Sequence, residues 1–457
     1  MNFKVFLLVL FVPLAALPQT YSLKGYIKNI DQQQVSIHDF YGGENRKIDS
    51  VNVKPDGSFE YQFPAASYSG MYRLRWDSNH FMDILFNHEN ITFETDARSV
   101  VDSLIFFQSV ENQLYFDYLK HRSEAEYRLE LLHPLLSLYP ADDPFYEKIT
   151  DQYDFINNEL KKYVENLLQM HPETYAAKLI NADFTPRPKS SLSEEEHIEF
   201  LRTHFFDRID FFDTTLLFSN IIATKVIQYL SLYQDNRLDK DQLQVEFIKA
   251  VSVIMNKTMD SPIVYEFAMD YLITGFNNYG FDKVITYIAD NIHLEDQCYD
   301  SERKAELEKK VESLKKFAVG IKAPDFTTTD LNGNQIKLSE INSDYTLLLF
   351  WATWCPHCNA LVQQLQKLYL EDNRQKFEIV AVSLDDSPKD LQTFLQQGDY
   401  NWINIADFKK WKGELVQLYD IFATPTMFLL RKDLTIEAKP MTFNELKNDL
   451  FTRNILE

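Results

Sequence analysis

Two cysteines stand three positions apart in Trp354-Cys355-Pro356-His357-Cys358, and a third, Cys298, stands alone. A Cys-x-x-Cys pair serves two chemistries: it supplies half of a tetrahedral zinc site, or it opens and closes as a disulfide. Zinc would want a second ligand pair at suitable spacing. None is present, and nine of the ten histidines are scattered upstream of residue 319. No metal or other cofactor is expected, and thiol-disulfide exchange is the chemistry these residues fit.

The neighbouring elements must position that pair. Tyr345 to Trp351 is a nearly continuous apolar run, the pattern of a central strand buried on both faces. Leu361, Leu365, Leu368 and Tyr369 follow at helical spacing. The cysteines therefore fall at a strand end and a helix start, where free N–H groups and the positive end of the helix dipole favour a thiolate. Cys355 is the expected nucleophile. Cys358, one turn further in, is expected to resolve the mixed disulfide.

These residues resemble a known family. Phe350-Trp351-Ala352-Thr353-Trp354-Cys355-Pro356-His357-Cys358, the leading Ala323-Pro324-Asp325-Phe326 and the later Ala423-Thr424-Pro425-Thr426 together resemble the TlpA/ResA-like thioredoxins of the bacterial cell envelope. The resemblance covers residues 319–457 and implies an α/β thioredoxin fold whose partners are protein thiols and disulfides. It implies a cis peptide bond at Pro425, with Thr424 and Trp354 facing the substrate. Two features depart from the family. Thioredoxins commonly carry a buried acid six residues before the first cysteine, and TlpA/ResA-like proteins a Glu three residues after the second; the matching positions here are Leu349 and Leu361, neither of which can relay a proton. The Pro356-His357 dipeptide resembles that of the oxidant DsbA, and a histidine there stabilises the Cys355 thiolate and raises the potential of the couple. The direction of electron flow stays open, and a membrane electron donor is implied only for a reductive role.

The start of the chain bears on location. Met1-Asn2-Phe3-Lys4 and the apolar run Val5 to Leu17, ending in Ala15, Ala16 and Pro18, read as a secretory signal over residues 1–19. The run is short of the about 20 residues that a span needs, so the mature protein is expected in the periplasm or cell envelope without a membrane span. A net charge of −22 with no basic stripe excludes nucleic acid as a partner. Three cysteines in 457 residues exclude a disulfide scaffold, and Cys298 reads as a buried structural thiol.

Upstream, residues 20–100 show short alternating apolar runs, with Val51, Val53, Phe59 and Tyr61 flanking Pro55-Asp56-Gly57-Ser58 as a hairpin, so an antiparallel β domain is expected. Residues 101–318 show helical spacing, for example Phe145 to Met170 and Gln242 to Met255, with prolines 140, 172, 186, 188 and 262 between helices. Phe205, Phe206, Ile209, Phe211 and Phe212 read as core. The fold class is thus multidomain α+β: a small N-terminal antiparallel β domain, a helical middle domain and a C-terminal thioredoxin fold over 319–457. This arrangement, with Asp207-Arg208-Ile209-Asp210-Phe211 and Thr214-Thr215-Leu216-Leu217, also resembles exported thioredoxin-like proteins of Bacteroidetes that carry an N-terminal β domain of unknown function. Two other functions compete with the exchange enzyme. One is a partner-binding envelope protein whose redox pair is secondary. The other is a thiol peroxidase, which would want Thr three residues before the reactive Cys, where this chain has Ala352.

Overall fold

The computed structural model describes residues 20–292, 301–371, 376–398, 400–453 and 455. The expected signal segment and Cys298 lie outside the described residues. The chain divides into two compact units, Met1–Leu232 and Tyr233–Glu457.

The first unit opens with strands β1 (Tyr21–Lys28), β2 (Gln34–Tyr41), β3 (Glu44–Asn52), β4 (Ser58–Phe63), β5 (Gly70–Arg75), β6 (Phe81–Phe86), β7 (Ile91–Asp96) and β8 (Ile105–Gln108). They form two four-stranded sheets, ordered β4-β1-β7-β8 and β3-β2-β5-β6. All pairings are antiparallel except β1 with β7. Alternation along the strands puts one face of each sheet into a shared core, where the Phe63 and Phe86 rings stack 3.9 Å apart.

The turn over Pro55-Asp56-Gly57-Ser58 is real, but the hairpin expected around it is not. β3 pairs with β2 and β4 with β1, so the turn carries the chain from one sheet to the other. Asp56 accepts the Ser58 N–H at 2.9 Å, and Gly57 sits at φ +87°. A Cβ on Gly57 would stand 2.4 Å from the Ile27 carbonyl oxygen, so the glycine is required twice, by conformation and by space.

Helices α1 (Val110–Leu138), α2 (Pro144–Met170), α3 (Tyr175–Asp183), α4 (Glu194–His204) and α5 (Ile221–Ser231) complete this unit. Buried Asn112 pins α1 to β6 by bonding both the N–H (2.8 Å) and the carbonyl (2.7 Å) of Leu85. Glu111 caps α3 by accepting the N–H groups of Tyr175 and Ala176. Deeper in, Tyr118 and Arg122 both donate to Asp183, while the buried amine of Lys225 donates to the Asp183 carbonyl and to Thr185 Oγ1. Burial pushes the Lys225 amine down to about 8. Phe205, Phe206 and Ile209 are core as expected, but Phe212 is 70% exposed, because the segment after α4 is a series of turns with no continuous helical face.

The second unit begins with α6 (Lys240–Thr258), α7 (Pro262–Asn278), α8 (Asp282–Asn291) and α9 (Ser301–Lys316). Pro262 takes the first position of α7, where its missing N–H costs nothing. A small hairpin of β9 (Thr327–Thr329) and β10 (Gln335–Lys337) follows, closed by a turn at Asp330 to Asn334 in which Asp330 accepts the Asn334 N–H at 2.8 Å. Then come β11 (Tyr345–Trp351), α10 (Pro356–Glu371), β12 (Phe377–Ser383), α11 (Pro388–Leu395), β13 (Ile403–Ala406), α12 (Glu414–Leu418), β14 (Thr426–Arg431), β15 (Ile436–Ala438) and α13 (Phe443–Thr452). The five-stranded sheet is ordered β13-β12-β11-β14-β15, with β11 parallel to β12 and antiparallel to β14. This is the α/β thioredoxin arrangement expected from the sequence. Among the described residues no helix is long and apolar enough to cross a membrane.

Candidate active site

β11 is central, and Leu347, Leu348, Leu349 and Phe350 are fully buried. Its chain must therefore leave the sheet abruptly, and it does so through Ala352, Thr353 and Trp354 into α10. Thr353 is held from three directions. Its N–H (3.1 Å) and hydroxyl (2.6 Å) donate to the buried carboxylate of Asp385, and its carbonyl accepts from Asn359 Nδ2 at 2.9 Å. Asp385 stands just past the end of β12 and also accepts from Ser383 Oγ at 2.7 Å. The turn that presents the cysteines is thus fastened to the neighbouring strand.

Cys355 and Cys358 form a disulfide with Cα atoms 5.2 Å apart. Cys355 occupies the capping position of α10: its carbonyl accepts the Asn359 N–H at 3.1 Å, and its sulfur accepts the Cys358 N–H at 3.2 Å. A sulfur thus stands where Ser or Asp oxygen commonly caps a helix, and negative charge on it would be favoured by that N–H and by the helix dipole. Pro356 fills the first helical position, and His357 beside it is exposed. Cys355 is 6% exposed and Cys358 0%, so an incoming sulfur reaches the first before the second.

Opposite the disulfide, the Thr424-Pro425 peptide bond is cis. The Thr424 carbonyl oxygen lies 3.5 Å from Cys355 Sγ. The loop bearing it is anchored by buried Tyr419, whose hydroxyl donates to the Pro324 carbonyl, and by Thr426 Oγ1, which donates to the Ala423 carbonyl at 2.8 Å. Segments singled out in the sequence near 324, 355 and 424 therefore converge on one site. Trp354 is exposed and flanks it.

Leu349 and Leu361 lie in the core, in line with their reading as positions without a proton relay. The buried acid nearest the motif along the bonded network is Asp385. Sequence reasoning passed over it, since its tie to Thr353 spans 32 positions and leaves no local pattern. Its visible signal was an acid two residues past the end of a largely apolar strand. Among the described residues, no group of three or more His, Cys, Asp or Glu could hold a metal ion.

Residues 319–439 match the AhpC/TSA family. A thiol-disulfide oxidoreductase ResA of Bacillus cereus is 31% identical over 125 residues, 27% of this chain and 70% of that protein. ResA of Bacillus thuringiensis subsp. konkukian is 31% identical over 118 residues, 26% of this chain, and the chain spans 66% of that relative's length. Among solved structures, a thioredoxin-like protein from Bacteroides caccae aligns with 59% of this chain and 98% of its own, at 22% identity and a TM-score of 0.46. Through its C-terminal domain, the chain belongs to the ResA-like family of thiol-disulfide oxidoreductases.

Proposed function

We propose that this protein is an exported thiol-disulfide oxidoreductase that exchanges disulfides with protein cysteines through Cys355 and Cys358. The observation that carries the reading is the capping geometry: the Cys355 sulfur receives the Cys358 N–H at the head of α10, which favours the thiolate. In the reduced protein, the Cys355 thiolate attacks one sulfur of a substrate disulfide, forming a mixed disulfide and releasing a substrate thiolate that takes a proton from water. Cys358 then loses its proton to solvent, attacks Cys355 Sγ and expels the second substrate thiolate. Two electrons pass to the substrate, and run backwards the same steps oxidise a substrate dithiol.

In this reading Thr424, Pro425 and Trp354 face the substrate, and Pro356 and His357 tune the thiolate. Residues 1–19 direct export, and a membrane donor supplies electrons if the protein works as a reductant. Cys355→Ser is expected to abolish turnover in an insulin-reduction assay, and full activity in that variant would overturn the assignment. Equilibration with glutathione sets the direction: a potential near roughly −270 mV marks a reductant and one above roughly −180 mV an oxidant or isomerase.

A thiol peroxidase is the second reading, prompted by the AhpC/TSA match. Against it, the Thr353 hydroxyl already donates to Asp385, and position 352 is alanine. Peroxide consumption by the reduced protein separates the two.

A further inference from the structure

Three large aromatic side chains stand exposed on the segments that frame the disulfide. Trp354 adjoins Cys355 and is 48% exposed; Trp411, on the loop between β13 and α12, is 38% exposed. Their ring centroids are 6.2 Å apart with the planes tilted by 60°. Phe422, 76% exposed, precedes by two residues the Thr424 whose carbonyl faces Cys355 Sγ.

The loop that carries Trp411 is built to hold it there. Asp407 accepts the N–H groups of Lys409 and Glu414, both at 3.0 Å, and a Cβ on Gly413 would stand 2.9 Å from the Asp407 carboxylate oxygens. Phe408 and Lys410 take the left-handed backbone region, at φ 59° and 52°, which is costly for residues with side chains. Gln417 Nε2 donates to the Trp411 carbonyl at 2.7 Å, and the Lys410 amine pairs with Asp386 at 2.7 Å, beside the Asp385 that holds Thr353. The Lys410–Asp386 pair thus ties the Trp411 loop to the segment whose Asp385 is bonded to Thr353, next to Trp354.

We infer that Trp354, Trp411 and Phe422 form the docking surface for the segment of another protein that carries the exchanging cysteine, and that Trp411 selects an aromatic side chain flanking that cysteine. This rests on the oxidoreductase reading. The disulfide next door fixes the occupant, since exchange requires a partner sulfur to reach Cys355 Sγ and its flanking residues then cover Trp354. Rigid aromatic rings order at little entropic cost and favour tilted or edge-on ring partners, which makes them anchors at interfaces.

The test uses the full chain, reduced with dithiothreitol and freed of it, with peptide disulfides whose cysteine is flanked by Phe, Ala or Glu. Each turnover closes the Cys355–Cys358 disulfide and opens one peptide disulfide to two thiols, with no other reactant. The second-order rate constant of this single turnover is expected to be roughly three- to tenfold higher for the Phe peptide than for the Ala peptide, the range of one ring pair. Trp411→Ala collapses that ratio toward one, while Trp411→Phe retains most of it. Equal rates for all peptides, or a preference that survives Trp411→Ala, would overturn the surface and leave the enzyme reading standing. Failure of the reduced wild type to act on any peptide would remove both.

Discussion

Thr353 shows how much of the site depends on a residue that performs no chemistry in it. Its N–H and hydroxyl end on Asp385, a buried carboxylate with no cation beside it among the bonds described. Replacing Asp385 by Ala orphans those two donors and the Ser383 hydroxyl, and each lost bond to a charged acceptor is worth about 1.5–3 kcal/mol. Asp385→Ala is expected to destabilise the second unit by at least about 2 kcal/mol in urea unfolding. It should also slow exchange with glutathione, because the turn before Cys355 loosens; Thr353→Val, which removes one of the three bonds, should reproduce about a third of the loss. Unchanged stability in Asp385→Ala would sink this account. The cysteines themselves were legible in the sequence, since a pair at the junction of an apolar strand and an amphipathic helix is a local pattern. Asp385 and Trp411 were not, because each earns its place through a contact with a residue far away in the chain.

Among the elements, those of the second unit follow the sequence closely. The apolar run Tyr345 to Trp351 is β11 as read, Leu361, Leu365, Leu368 and Tyr369 lie in α10 as their spacing indicates, and the helical stretch Gln242 to Met255 falls within α6. The first unit exposes the limit of such reading. A Pro-Asp-Gly-Ser turn announces a reversal of direction but not the partner of the returning strand, and here the strands on its two sides join different sheets. The corner is tight because the Ile27 N–H donates to the Gly57 carbonyl at 3.0 Å. Gly57→Ala is therefore expected to cost more than about 1 kcal/mol, through the positive φ and the clash with the Ile27 carbonyl together. Thermal unfolding checks this, and a neutral effect would mean that the corner relaxes.

For the molecule as a whole, each unit has its own core, so stability responds to pH through groups buried in one unit or the other. Lys225 is the clearest in the first. With its folded value near 8 and an unfolded value of 10.5, the lysine is charged in both states below pH 8, and the folded state bears the full burial cost. Between pH 8 and 10.5 the unfolded chain holds a proton that the folded chain has released, so stability rises with pH, by about 3 kcal/mol in all. Lys225→Met should remove that rise. Parallel urea titrations of the two proteins at about pH 7 and about pH 10 provide the check, and identical pH responses would refute it.

Strand β1 is where the order of synthesis meets the order of pairing. It lies between β4 and β7, with Leu23 opposite Tyr61 on one side and Ile91 on the other. First made of the described strands, β1 can pair with β4 early but keeps its other edge open until β7 has emerged, after β5 and β6 of the other sheet. Closing so long a loop slows the completion of this sheet relative to hairpin-built ones. A chain interrupted before Ile91 would present that open edge to other chains, which makes premature truncation an aggregation hazard as well as a loss of function.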